Sequence, residues 1–487
     1  MITAGLIFLP LVAGLFAFLI KNPRIKTFVL GVAIAEFLLS VLAFVEYIPS
    51  SEAAFVLEYP WIPTLGISFS VGMDGISLLL VMLTTFLVPL IILSSFKTEY
   101  KNPSLFYGLI LIMQSALIGV FVARDAFLFY IFWELALIPI YFIALLWGGE
   151  NRLKTTFKFF IYTLAGSLIM LMGIIFLYTK TGGSFHIDAF YGISNLLDST
   201  TQSWLFWAFF IAFAIKMPIF PFHTWQPDTY TVAPVPGTML MSGIMLKMGI
   251  YGVIRWLLPV VPSGVAEWAN VAMILSIIGI IYASVIALKQ KDFKRLIAYV
   301  SIAHVGLIAA GIFTNTVEGL QGGIIQMLSH GITVVGMFYI IDILFLRTKT
   351  SLLDSLGGIR TQAPVFALFF LVILMASIAL PLTSGFIGEF LLFVGIFLTS
   401  PWMAGIAGLT IILGAAYMLS SYQKIMLGEN NKNTEGFKDL NLDEKLVLVP
   451  IIIAIFWIGL YPKTFLDVSE PAVANLLNTI KNTYTLK

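Results

Sequence analysis

Cysteine is absent from this chain of 487 residues. That excludes disulfides, thiolate ligation of iron–sulfur clusters and thiol catalysis by its own side chains. Charge is almost as scarce. Only 11% of residues are Asp, Glu, Lys or Arg, where soluble domains carry about 25%. The net charge of +2 gives no sign of a nucleic-acid partner, and none is expected. Histidine occurs four times, at His186, His223, His304 and His330. These are too few and too scattered to predict a metal site. The N-terminus "MITAGLIFLPLVAGLFAFLIKNPR" lacks a basic leader region and a small-residue cleavage site, so it reads as a first span rather than a cleaved signal.

What remains is apolar. The chain is 60% hydrophobic with a mean hydropathy of +1.00. It reads as an all-α polytopic membrane protein whose main partner is the lipid bilayer. Segments of about 20 apolar residues can cross a bilayer as helices, and fourteen are predicted. The stretch 48–72 carries Pro60 and Pro63 and reads as a short extended loop. Residues 426–445 form the one clearly polar connection, and no soluble domain fits. The expected organisation is helices 1–3 in 1–104, helices 4–8 in 105–258, helices 9–13 in 266–425, and helix 14 with a tail in 444–487.

The charges support that count. With loops assigned alternately to two sides, nineteen of the 27 basic residues fall on one side and six on the other, while Lys216 and Lys247 lie inside spans. The positive-inside rule makes the rich side cytoplasmic and puts both termini outside.

Ionisable residues inside spans are few: Glu36, Glu134, Lys216, Lys247, His304, His330, Asp342 and Glu389. Glu36 and Asp342 are read as snorkelling or pairing locally. A charge at mid-bilayer costs at least about 2.5–3.5 kcal/mol. One such residue is as often a structural pair as a functional group. Acids, lysines and histidines recurring over six spans point to a hydrated relay, because each can take up and release a proton. Burial disfavours the charged form of acid and base alike.

Proline and glycine mark two breaks. "FAIKMPIFPFHTWQPD" places Pro218 and Pro221 directly behind Lys216 in the seventh span, predicted over 203–230. "LPLTSGFIGEF" places Pro381, Gly385 and Gly388 before Glu389 in the twelfth, predicted over 364–398. Proline and glycine are common in membrane helices, but here each break sits beside a buried charge. Paired broken helices mark conduction sites at the midplane of inverted repeats. Spans four to eight and nine to thirteen are the expected pair of inverted five-helix repeats, with helices 7 and 12 broken.

Together with these two stretches, "GMDGISLLLVMLTTFL", "FWELALIPIYFIALLWG", "KFFIYTLAGSLIMLMG", "GIMLKMGIYGVIR" and "DFKRLIAYVSIAHVGLI" resemble the antiporter-like proton-channel subunits of respiratory complex I (NADH:quinone oxidoreductase). These are relatives of the Mrp Na+/H+ antiporter subunits. The resemblance runs from about Asp74 to Tyr422, with the motifs in family order. It implies that Glu134 pairs with Lys216, that Lys247 links to the centre, that His304 and His330 continue the relay, and that Glu389 closes it. Glutamate at 389, where the L-type and N-type chains usually have lysine, resembles the M-type branch, chain 4 in mitochondria. The chain also ends soon after its fourteenth span, without the long lateral helix typical of the L-type. "PDTYTVAP" departs from the family's usual "PDAHTEAP" at Tyr230 and Val232, so no uptake role is carried to them; His223 and Asp228 are the weaker candidates nearby.

The resemblance further implies a translocase subunit with no cofactor of its own. FMN, Fe–S clusters and quinone belong to partner subunits. Expected partners are the L-type and N-type chains and small membrane subunits, in a bacterial inner membrane with both termini periplasmic. An ion pair at 4 Å and an effective dielectric of 20 is worth about 4 kcal/mol, enough to switch a buried lysine. The alternatives are a subunit of an Mrp-type Na+/H+ antiporter or of a proton-pumping membrane hydrogenase. A purely structural scaffold is disfavoured, since leucine would serve it without the burial cost of Lys216, Lys247 and Glu389.

Overall fold

The computed structural model describes residues 1–21 and 24–485. Helices α1 (Ile2–Ala17) and α2 (Ile25–Glu46) lead into a hairpin of β1 (Ala54–Ile62) and β2 (Ile67–Met73). Next come α3 (Gly75–Ser94) and α4 (Pro103–Val122), then α5 (Ala126–Leu135) and α6 (Leu137–Trp147), which share one span. They are followed by α7 (Arg152–Lys180), the short α8 (Ile187–Ile193), α9 (Ser199–Lys216) and α10 (Gln226–Val232). Helices α11 (Val235–Leu240) and α12 (Leu246–Gly252) belong to one span with π-helical turns at Met241–Met245 and Val253–Leu257. The rest are α13 (Pro262–Lys289), α14 (Phe293–Ile312), α15 (Val317–Thr348), α16 (Ile359–Gln362), α17 (Pro364–Ser377), α18 (Ser384–Thr399), α19 (Pro401–Met426), α20 (Leu442–Leu460) and α21 (Lys463–Thr485).

Among the described residues, ten helical segments are long and apolar enough to cross a membrane, or eleven if the bent pair α20–α21 counts as one. Helices α1, α17 and α18 are apolar but shorter. The core lies where α3, α4, the 235–257 span, α14 and α15 meet, since these are buried along most of their length. By contrast α2, α7 and α19 keep broad apolar faces outward, as lipid contact requires.

Hydrogen bonds join the turns into two groups. On one side, Trp147 donates to Lys101 O at 2.7 Å, Gly149 N to Val232 O at 2.9 Å, Phe293 N to Ser351 O at 2.8 Å and Gly358 N to Leu427 O at 3.0 Å. On the other, Thr3 Oγ1 donates to Phe55 O at 2.7 Å, Arg124 N to Ser70 O at 2.9 Å and Asn475 to Ser51 O at 3.2 Å. Helix starts are closed by side chains. Asp74 and Ser77 form a capping box on α3, and Asn441 and Glu444 another on α20. Each satisfies backbone N–H groups that would otherwise be orphaned.

Two expectations need correction. The fold is not purely α, because part of 48–72 is the antiparallel hairpin, with Leu57 opposite Val71 and Tyr59 opposite Phe69. Pro60 survives because β1 pairs on one edge only, where a missing N–H costs no ladder bond. The tail after α20 is itself a helix. Val468, Ala472, Val473, Leu476, Leu477 and Ile480 form a buried stripe on α21, too interrupted by polar residues to read as a span.

Both expected interruptions are present. Helix α9 ends on Lys216 and α10 begins at Gln226. The Trp225 indole donates to Ile215 O at 2.9 Å, taking up a carbonyl at the broken end. Helix α17 ends at Ser377 and α18 starts at Ser384. Between them Ala379 (φ 57°) and Leu382 (φ 75°) sit in the left-handed region, uncommon for residues with a Cβ.

Candidate functional site

A line of buried polar side chains crosses the middle of the molecule. It starts at Lys247, fully buried in the 235–257 span. The π turn just before it turns the Ser242 carbonyl toward the side chain, and Lys247 Nζ donates to Ser242 O at 2.7 Å. The same nitrogen lies 2.8 Å from His330 Nδ1 on α15. Two glycines allow this approach. A Cβ on Gly331 would meet Gly243 O at 2.8 Å, and one on Gly243 would meet Val335 Cγ2 at 2.6 Å. The two helices therefore touch backbone to backbone beside the Lys247–His330 contact.

From His330 the line continues to His304 on α14, whose ring centroid is 5.9 Å away. A small cavity of about 20 Å³, lined by both histidines with Ser301, Gln326, Ser329 and Thr333, occupies this region. It is large enough for about one water. His304 Nδ1 then lies 3.1 Å from Glu389 Oε1, which also accepts from Gln326 Nε2 at 3.3 Å. Ser329 and Ser384 are joined at 2.8 Å across the same seam.

The two breaks hold their charges in complementary ways. Lys216 is the last residue of α9, and Glu389 lies in the second turn of α18. A helix C-terminus favours a cation and an N-terminus an anion. Lys216 thus sits at an end that favours its charge, whereas Glu389 lies one turn inside α18 and is held by His304 and Gln326.

Lys216 and Glu134 do not form the direct ion pair that the resemblance implied. Among the described residues Glu134 Oε1 has no hydrogen-bond partner. Lys216 Nζ instead sits over the Trp133 ring, 5.0 Å from its centroid, a cation–π contact. The carboxylate still acts on the lysine electrostatically. The residue before Glu134 gave no warning of this contact in the sequence.

Glu36 does not snorkel. It is fully buried, and among the described residues both its oxygens lack a hydrogen-bond partner. Asp342 acts at a distance on Lys294, whose ammonium donates to Thr231 O and Ala233 O at 3.1 and 2.7 Å. Asp228 is bound to Lys158 at 3.2 Å and to Arg295 at 3.0 Å, a loop network. His223 packs with Phe220 and Tyr282. Neither joins the line. Among the described residues no group of His, Asp and Glu could hold a metal ion.

Sequence reasoning missed Ser242, Gln326, Ser329 and Ser384, which are ordinary residue types in membrane helices. It also missed a second buried pair near the hairpin. Arg255 Nη2 is hydrogen-bonded to Asp74 Oδ2. Burial alone would raise the Asp74 carboxyl, but the Arg255 guanidinium and the bonds from Ser77 outweigh it and hold the group below its usual range.

Comparison with known proteins gives a consistent picture. Residues 123–414 match the family described as NADH:quinone oxidoreductase/Mrp antiporter, transmembrane. Residues 6–120 match the amino terminus of NADH-ubiquinone oxidoreductase chain 4. NADH-quinone oxidoreductase subunit M of Rickettsia typhi is 42% identical over 97% of both chains. NADH-ubiquinone oxidoreductase chain 4 of Marchantia polymorpha is 36% identical over 97% of this chain and 96% of its own. A chain of respiratory complex I from Thermus thermophilus superposes with a TM-score of 0.91 at 31% identity, covering 99% of each. A chain of the Mrp complex from Dietzia shares the fold, with a TM-score of 0.83 at 18% identity over 98% of this chain and 51% of its own.

Proposed function

Since this chain belongs to the NADH:quinone oxidoreductase/Mrp antiporter family, in its subunit M (chain 4) branch, we propose that protons cross it along the line Lys247, His330, His304 and Glu389, loaded from Lys216 and Glu134. The chain is a proton-translocating membrane-arm subunit of NADH:quinone oxidoreductase, and other subunits of that complex are its partners. The observation that carries the proposed route is the succession of contacts from Lys247 Nζ to His330 at 2.8 Å and from His304 to Glu389 at 3.1 Å. Each member can bind and release a proton, and the gap between His330 and His304 is bordered by a water-sized cavity.

The redox chemistry belongs to partner subunits on this reading, and this chain moves protons without a cofactor of its own. L-type and N-type chains are the proposed neighbours in the arm. The helices form fourteen spans in two inverted five-helix repeats, with the breaks at Lys216 and before Glu389 in equivalent places. The side rich in basic residues faces the cytoplasm of a bacterial inner membrane, and the hairpin side and both termini face outward.

Lys216 works as the loading group. It holds its proton against the Trp133 face and under the influence of Glu134. A shift of α5 relative to the end of α9 changes that influence, and at an effective dielectric of 20 a pair closing to 4 Å gains about 4 kcal/mol. The test is Lys216→Ala in the assembled complex, with NADH-driven proton uptake measured in proteoliposomes. Pumping should be lost while the subunit stays in the complex. Wild-type proton stoichiometry in that variant would overturn the route.

A further inference from the structure

Helix α10 is the half of the broken span that follows Lys216, and it has seven residues. A helix this short is not stable by itself, so its neighbours decide where it lies. On one side it is tied to α7. Lys158 Nζ donates to Thr224 O at 2.8 Å and pairs with Asp228 Oδ2 at 3.2 Å. Phe159 packs on Trp225, with ring centroids 4.8 Å apart.

On the other side it is tied to α14. Arg295 meets the second oxygen of Asp228, Oδ1, at 3.0 Å. The residue before it, Lys294, donates from Nζ to Thr231 O at 3.1 Å and to Ala233 O at 2.7 Å. These carbonyls lie at the end of α10, where no further turn supplies N–H donors. Asp342 of α15 adds an attractive charge to the same ammonium. The two kinds of tie differ in weight. The side chains of Lys158, Asp228 and Arg295 are 35–37% exposed, and water screens such ion pairs. The Lys294 bonds are partly buried and have a charged donor, which makes them the stronger hold.

What α10 holds in turn is the end of α9. Trp225 stands directly before α10, is 1% exposed, and donates its indole N–H to Ile215 O at 2.9 Å. Ile215 precedes Lys216, the last residue of α9. A continuous set of contacts therefore runs from α14, the helix that carries His304, through α10 to the residue beside Lys216.

We propose that Lys294, assisted by Asp228, is a positioning residue for Lys216. It clamps α10 to α14, so that the Trp225 indole stays on the Ile215 carbonyl and the Lys216 ammonium keeps its place at the end of α9. The inference rests on the reading of Lys216 as the loading group, and it adds residues that the proposed route does not contain. It also ties the two proposed repeats together, since α7 and α9 belong to one and α14 to the other.

The test uses the complete complex in proteoliposomes, with protons moved per NADH oxidised as the readout. Lys294→Met should lose a large part of what Lys216→Ala loses. Lys294→Arg should recover most of it, because a guanidinium has the donors to serve both carbonyls. Asp228→Asn should give a smaller loss, and it decides the matter if Lys294→Met does not assemble. Trp225→Phe keeps a ring but removes the indole donor, and should match Lys294→Met. Combining those two should add nothing further, because both break one chain of contacts. Wild-type stoichiometry in the assembled variants would overturn the proposal. So would an arginine variant no better than methionine, or losses that multiply in the double variant. Normal pumping by Lys216→Ala would strike the relay reading, whereas loss with Lys216→Ala and none with the Lys294 and Asp228 variants would strike the clamp alone.

Discussion

Lys247 Nζ and His330 Nδ1 meet at 2.8 Å between two helices that touch through Gly243 and Gly331. The contact has a directional consequence. An ammonium must donate to Nδ1, so a proton reaches His330 only when the imidazole can accept it there. With His330→Ala the lysine keeps Ser242 O as a partner but loses its proton acceptor. The variant should assemble, oxidise NADH and pump fewer protons per electron pair, read as the dye-quench amplitude per NADH consumed.

Glu389 accepts from Gln326 and lies against His304. Glu389→Gln preserves size and polar contact but cannot carry a proton. Proton translocation should fall by about 10²-fold, the low end for removing a proton-transfer group. Glu389→Asp should retain part of it. Retained translocation in Glu389→Gln would assign the residue a purely steric role.

Lys216→Arg separates charge from proton transfer. The guanidinium can keep the cation–π contact with Trp133 but stays protonated at any working pH. The arginine variant should therefore pump no better than Lys216→Ala. Retained pumping would mean that fixed charge alone suffices at this position.

Gly331→Val should force the two central helices apart, because even a Cβ would lie 2.8 Å from Gly243 O. Overpacking of this kind costs about 1–3 kcal/mol. Both the melting temperature of the solubilised complex and its proton stoichiometry should drop. Loss of stability with unchanged stoichiometry would mean that the Lys247–His330 contact is not needed.

Asp74 supplies a pH test. Its carboxyl is held below the usual value, so the folded state binds this proton more weakly than the unfolded chain does. The stability it contributes is present above the unfolded value of about 3.9 and is lost as pH falls through the folded one. The difference in melting temperature between wild type and Asp74→Asn should be largest near neutral pH and shrink in acid. A constant difference would show that the ion pair is not its source.

Much of this site was legible because charge stands out in an apolar text. Lys216, Lys247, His304, His330 and Glu389 could be picked out as costly residues in hydrophobic runs, and the prolines near two of them marked the breaks. The Ser242 carbonyl could not, since it becomes available through a π turn that no residue type announces. The indole of Trp133 beneath Lys216 was hidden for a different reason. Aromatic residues fill this chain, and only packing decides which one meets a cation. The hairpin was obscured by prolines that an edge strand tolerates, and α21 by a polar face that kept it from reading as a span.

The last helix has a consequence for how the molecule is made. Helix α21 lies across the hairpin side, with the Val468 carbonyl so close to Gly75 that a Cβ there would meet it at 1.8 Å, and with Asn475 bonded to Ser51. Residues more than four hundred positions apart thus build one wall of a polar cavity lined by Arg255. During synthesis the early helices reach the bilayer long before that wall exists. A nascent or truncated chain carries the cavity floor without its cover until α21 has packed over the loop that follows α2.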